Sequence, residues 1–206
     1  MLGLLFVQYV MVAAMLSFFV SLSIGQLTTG NINTAMIPKV CLNMIVKNEA
    51  KVIKRLLDSV LPLIDSYCIC DTGSTDGTID LIDAYMRDHG VPGKLLHEPF
   101  RDFGHTRSFA LRAAIDQMDA DYLLLLDADM VLQYPDGIDD DALVTLKRRL
   151  ADYDVWSVFQ GTPQFYYKNV RLIRNRPGSS YWGVTHEYIQ IVEGSTTGTF
   201  EPVSQF

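Results

Sequence analysis

Five consecutive apolar residues, Tyr122 to Leu126 (YLLLL), run directly into Asp127-Ala128-Asp129. A strand of that composition has no polar face to turn toward water, so it must be covered on both sides. The flanking sequence supplies the covering layers. Val40 to Val46 (VCLNMIV) reads as a strand, and Ala50 to Leu63 places Val52, Ile53, Leu56, Leu57, Val60 and Leu61 at helical spacing, with a stop near Pro62. Ser66 to Cys70 (SYCIC) is a second strand, broken by Asp71 to Thr78 (DTGSTDGT), whose glycines and hydroxyl residues cannot pack a core. A helix follows over Ile79 to Asp88, with Asp76 or Thr78 as its cap. Lys94 to His97 is a weak strand and Thr106 to Met118 an Ala- and Leu-rich helix. Strands alternating with such helices predict an α/β domain with a mainly parallel sheet and helices on both faces. Beyond a helix from Asp141 to about Leu150, Val155 to Gln160, Phe165 to Ile173 and Tyr188 to Val192 read as strands, partly antiparallel.

Charge divides the chain into two materials. No Asp, Glu, Lys or Arg occurs from Met1 to Pro38, and all 17 basic and 24 acidic side chains lie from Lys39 onward. As a helix, the apolar stretch Leu2 to Ile24 would rise about 34 Å, enough to cross a hydrocarbon core of about 30 Å. It lacks the basic n-region of a secretory signal and is longer than the usual apolar core of one. One N-terminal transmembrane helix is therefore expected: residues 1–25 as a membrane anchor or uncleaved signal, 26–38 as a polar linker, and 39–206 as the α/β domain. That makes the chain a single-pass membrane protein, and Lys39 alone leaves its orientation open. The net charge of −7 argues against a nucleic-acid partner, which calls for a basic face. Cys41, Cys68 and Cys70 form no disulfide framework and read as buried thiols.

Asp127 and Asp129 follow the buried strand, at the carboxyl edge where open parallel sheets bind ligands. Two carboxylates so close repel unless a cation sits between them, and Mg²⁺ or Mn²⁺ takes one or two carboxylates and completes its shell with phosphate and water. The plainer alternative is a turn cap beside a solvated Asp. Asp71 ends the second strand on the same edge, where it either accepts hydrogen bonds from a base or ribose or closes an Asx-turn. Arg107 opens the helix before the Asp-x-Asp strand and either pairs with a diphosphate or lies on the surface. His186 and Glu187 set an imidazole beside a carboxylate: a metal ligand or phosphate contact and a general base, or a structural pair.

These elements, in this order, resemble the family 2 glycosyltransferases of the GT-A fold. The resemblance is carried by CLNMIVKNE (Cys41 to Glu49), DTGSTDGT, FGHTR with Ala110-Leu111, YLLLLDADM (Tyr122 to Met130), VRLIR (Val170 to Arg174) and WGVTHEY (Trp182 to Tyr188). It implies a Rossmann-like, nucleotide-sugar-binding domain that moves a single sugar to an acceptor hydroxyl by metal-dependent inverting displacement. Asp71 would bond the nucleobase, with Asn48 and Glu49 near the nucleoside, and Arg107 would steady the phosphates. Asp129 would hold Mn²⁺ or Mg²⁺, Asp127 would meet the metal, sugar or ribose, and His186 would complete the metal site. Glu187 would be the catalytic base. The donor would be UDP- or GDP-linked and the acceptor a glycan, protein or lipid.

Two features depart from the family pattern. Its acidic element is commonly Glu-Asp, whereas here Glu187 follows His186, which leaves Asp139 to Asp141 as a rival source of the base. Many relatives also carry further sequence after this element, so a C-terminal extension is expected to be lacking. No Gln-x-x-Arg-Trp motif of processive synthases occurs. Two other readings compete: a catalytically degenerate nucleotide-binding module, and a metal-dependent nucleotidyltransferase, against which the glycine-free Met44 to Glu49 argues.

Overall fold

A computed structural model describes residues 8–11, 36–134, 138–162, 165–184 and 186–200, with side chains from residue 36 onward. In chain order the elements are β1 (Gln8–Met11), β2 (Val40–Val46), α1 (Ile53–Val60), β3 (Ser66–Asp71), α2 (Thr78–Asp88), β4 (Gly93–His97), α3 (Phe103–Gln117), β5 (Tyr122–Leu125) and β6 (Met130–Gln133). Then come α4 (Asp140–Arg149), β7 (Val155–Thr162), β8 (Phe165–Arg174), β9 (Ser180–Trp182), β10 (Tyr188–Gln190) and β11 (Thr197–Thr199).

The main sheet runs β4-β3-β2-β5-β8-β7-β1-β6, with β11 beside β7. Strands β4, β3, β2 and β5 are parallel, whereas β8 is antiparallel to both β5 and β7. The expected α/β architecture is present, with its antiparallel part where the later strands were read. Alternation on the central strands explains the two cores. Leu42, Met44, Tyr122 and Leu124 pack with Ile53, Leu56, Ile82 and Leu146, so α1, α2 and α4 cover one face. Cys41, Leu123 and Leu125 pack with Leu111 and Ala114 of α3 on the other. The run of apolar residues is therefore buried on both sides, as its composition demands. Cys41, Cys68 and Cys70 are buried free thiols.

Helix α1 starts at Ile53 rather than Ala50, because Glu49 to Val52 is taken up by a turn in which Val52 N donates to Glu49 O at 3.0 Å. Helix α3 starts earlier than expected, at Phe103, because Asp102 caps it by accepting from His105 N at 2.7 Å.

The N-terminal segment differs from the expected membrane helix. Gln8–Met11 is a strand, parallel to β6 and antiparallel to β7. An extended segment there satisfies backbone groups of two strands that would otherwise present open edges. Among the described residues no helix is long and apolar enough to cross a membrane. The rest of the expected anchor and most of the linker lie outside the described residues.

Candidate active site

The chain passes from β2 outward through β3 to β4, then returns to lay β5 on the opposite side of β2. The carboxyl ends of β2 and β5 therefore flank a topological switch point, where helices and loops diverge and leave a crevice. A cavity of about 770 Å³ opens there, lined among others by Val46, Glu49, Thr72, Arg107, Asp127 and Asp129.

Two interlocked loops form one wall. Asn48 takes a left-handed conformation (φ 57°), and its Oδ1 accepts from Thr75 N at 2.8 Å while its own N–H donates to Ser74 Oγ at 2.9 Å. Glu49 N donates to Thr78 Oγ1 at 2.8 Å and Ala50 N to Asp76 Oδ2 at 3.1 Å. The DTGSTDGT loop is thus docked onto the loop after β2. Gly73 and Gly77 hold φ of 105° and 86°, which side-chain-bearing residues rarely adopt.

Asp71 organises this loop from within. Its carboxylate accepts from Gly73 N at 3.0 Å, from Ser74 N at 3.0 Å and from His97 Nδ1 at 3.0 Å. Burial by itself would raise its pKa, but the hydrogen bonds from Ser74, Gly73 and His97 outweigh it and hold the group below the ordinary value. With 4% of its surface exposed, Asp71 sits behind the wall, and Thr72 is the loop residue that lines the cavity.

The opposite wall is ionic. Arg107, 12% exposed, donates from Nη2 to Asp127 Oδ1 in a very short contact and from Nε to Glu187 Oε1 at 2.9 Å. Burial works against its charge, yet Asp127, assisted by Glu187, raises its pKa above the ordinary value. Arg171 Nη2 lies 3.6 Å from Asp127 Oδ2, and Arg171 also donates to Leu125 O at 3.2 Å and to Gln160 Oε1 at 2.8 Å. Asp127 is therefore braced by two arginines. Asp129 is different: burial, then the charge of Asp127, raises its pKa. Glu49 is raised too, by burial and then by Asp129, Asp76 and Asp127.

Backbone packing sets Glu187 in place. Ser108 Oγ accepts from Tyr181 N at 2.9 Å and donates to Tyr181 O at 3.2 Å, while Phe103 N donates to Val184 O at 3.4 Å. Gly104 of α3 faces Gly183 so closely that a Cβ there would stand 2.2 Å from Gly183 O. A second cavity of about 290 Å³ lies beyond, lined by Arg107, Asp127, Gln160, Arg171, His186 and Glu187 among others.

The expected site residues thus divide. Glu49, Arg107, Asp127 and Asp129 line the larger cavity. His186 and Glu187 line the smaller one, so His186 stands across Asp127 from the cavity of Asp129. Asn48 and Asp71 shape the loop wall. Asp139 caps α4 by accepting from Ala142 N at 2.8 Å, which is a structural use of the rival acidic run. Arg171 and Gln160 were not anticipated as site residues. A charged residue between Val170 and Leu172 on a strand was the available signal for Arg171. Asn43 is buried in β2; its Nδ2 donates to Cys68 O and Ala110 O, each at 2.9 Å, and ties the sheet to α3.

Residues 41–138 match the model of Glycosyl transferase family 2. A TPR repeat-containing protein of Synechococcus elongatus is 32% identical over 156 residues, which cover 75% of this chain and 36% of the relative. The lipopolysaccharide core biosynthesis glycosyltransferase LpsC of Rhizobium meliloti is 34% identical over 96 residues, 46% of this chain and 33% of LpsC. The chain spans about a third of the length of both relatives. Among solved structures, the mannosyltransferase PcManGT from Pyrobaculum calidifontis, in complex with GDP-Man and Mn²⁺, aligns with a TM-score of 0.46 at 22% identity, covering 60% of this chain and 36% of that one. S. aureus TarS 1–349 in complex with UDP aligns with a TM-score of 0.43 at 22% identity, covering 57% and 34%. The matched stretch, just under half of the chain, spans the strands, the Asp71 loop and the Asp127-Ala128-Asp129 turn that meet at the switch point, and this part of the chain is similar to glycosyl transferase family 2.

Proposed function

We propose that the chain transfers a single sugar from a UDP- or GDP-linked donor to an acceptor hydroxyl, with inversion at the anomeric carbon and with help from a divalent cation. One observation carries this reading: two cavities share the Arg107–Asp127 wall, with Asp129 on one and Glu187 on the other. A direct displacement needs that arrangement, with the donor and its leaving group on one side and a base beside the acceptor on the other.

Glu187 removes the acceptor hydroxyl proton as the oxygen attacks the anomeric carbon. The bond from that carbon to the diphosphate oxygen breaks, and the nucleoside diphosphate leaves with the electron pair. Arg107 aims Glu187 through the hydrogen bond from its Nε to Glu187 Oε1 at 2.9 Å. Among the described residues no three His, Cys, Asp or Glu side chains converge on a ready-made metal site. Asp129 nonetheless fits Mg²⁺ or Mn²⁺, which use one or two carboxylates alongside substrate phosphates. Burial, then the charge of Asp127, raises its pKa, and a cation beside it would offset both. Such an ion supplies stabilisation of charge on the departing diphosphate.

The test is nucleoside-diphosphate release by the full chain from UDP- and GDP-sugars, with Mn²⁺, Mg²⁺ or chelator. Asp129→Asn is expected to abolish release, and Glu187→Gln to lower kcat by about 10²–10⁴-fold. Pyrophosphate release would instead identify a nucleotidyltransferase. Nucleotide binding without any release would identify a degenerate module.

Membrane attachment belongs to the same proposal and is supported by the apolar composition of residues 2–24. A spanning helix there requires Gln8–Met11 to leave the sheet. Alkaline extraction of membranes from cells making the full chain tests it: retention in the pellet supports an anchor, and release to the supernatant removes it.

A further inference from the structure

The smaller cavity is more polar than the larger one, and its charges are already matched. Among the described residues on its wall, Arg107 and Arg171 face Asp127 and Glu187, at 2.9 Å for Arg107–Glu187 and 3.6 Å for Arg171–Asp127. A phosphate or carboxylate entering it would find both arginines already opposed by carboxylates, so the wall suits a neutral ligand. Its hydrogen-bonding groups are fixed in advance. Gln160, buried in β7, donates from Nε2 to the Tyr167 hydroxyl at 2.8 Å and accepts from Arg171. The Tyr167 hydroxyl, having accepted, keeps its own proton to donate.

Part of the lining is aromatic, and Trp182 stands beside it rather than in it. Tyr167, Tyr181 and Tyr188 line the cavity. In the β9–β10 hairpin, Tyr188 lies directly opposite Trp182, with Tyr181 opposite Ile189. Tyr181 and Ile189 turn toward the α3 core, which puts Trp182 and Tyr188 together on the other face. Both are largely exposed, Trp182 at 63% and Tyr188 at 56%, an unusual placement for large rings with no core to fill. At about 290 Å³ the cavity is at the small end of the range for ligand sites, about 300–1,000 Å³.

Resting on the transferase reading above, we infer that this cavity is the acceptor site and that its occupant is an uncharged sugar ring. Hydroxyls of the ring bond Tyr167 and its neighbours, one hydroxyl faces Glu187, and the C–H face of the ring stacks on Tyr188 and Trp182. Aromatic rings offer such a ligand an apolar surface at low entropic cost, and the polar floor fixes its orientation.

The two tryptophans allow a direct test, since Trp156 is buried and Trp182 exposed. The full chain is titrated with methyl glycosides and disaccharides of common neutral hexoses and heptoses, with glycerol 3-phosphate, and separately with UDP and GDP. A neutral glycoside is expected to shift Trp182 emission saturably. The signal is lost in Trp182→Phe, the affinity falls at least tenfold in Tyr188→Ala, and Tyr188→Phe restores it. Unaltered Trp156 emission confirms that the variants are folded. If UDP or GDP binds but no glycoside does, or if only glycerol 3-phosphate does, the acceptor inference is overturned while the transferase reading stands. If a glycoside binds and neither nucleotide does, the sugar site stands and the transferase reading falls.

Discussion

At the scale of single residues, Arg107 holds together groups that repel each other. It lies between Asp127 and Glu187, and its removal leaves two partly buried carboxylates facing one another. Arg107→Met is expected to lower stability by about 1–3 kcal/mol at neutral pH. Urea unfolding of the variant and parent at neutral pH measures the deficit; unchanged stability would remove the pairing argument. The pKa of Asp71 is depressed in the fold, so its stabilisation is complete above about pH 5 and is lost as pH falls below the free value near 4, through the folded one. Asp71→Asn should cost about 1–3 kcal/mol at pH 7 and flatten the acid limb of the stability curve. Unfolding midpoints between pH 7 and pH 2.5 test this.

At the scale of elements, the site depends on how α3 meets the segment leading to Glu187. The Gly104–Gly183 contact brings two backbones together, and Ser108 ties α3 to Tyr181 at 2.9 Å. Neither backbone can yield as a flexible side chain would. Gly104→Ala is therefore expected to move the segment, destabilise the chain by about 1–3 kcal/mol, and depress kcat more than donor KM. Thermal unfolding and steady-state kinetics report the two effects; an active, stable variant would show that the contact gives way easily. The same scale separates what was readable in advance from what was not. The identity and order of β2, α1, β3, α2, α3 and β5 were legible, because alternation, helical spacing and turn residues are local properties. The start of α1 was not, since the docking of Ala50 onto Asp76 joins loops that are distant in the chain.

For the whole molecule, β1 decides how the sheet is completed. Its backbone joins β7 to β6, and in β7 it pairs with Gln160, which lines the smaller cavity. Hydrogen exchange tests this without reference to activity: the amides of Val131 and Gln133, which alternate with those of Met130 and Leu132 that bond Asp127 O and Ser59 Oγ, should be protected in the full chain and exposed when residues 1–12 are deleted. Unchanged protection would mean that the segment lies elsewhere, as an anchor requires. The sequence by itself determined the α/β class, the covered central strand, the two acidic residues at its end and the loop that faces them. Burial on both faces, turn chemistry and like-charge repulsion follow from neighbours in the chain, so a local pattern suffices. Only the tertiary structure decided that Asp71 serves its own loop, that His186 and Glu187 line one cavity and Asp129 the other, and that Arg107 reaches Glu187, 80 residues away. Each of these depends on which side chain fills a partner's last hydrogen bond, and that choice is made by packing across the sheet edge rather than by spacing along the chain.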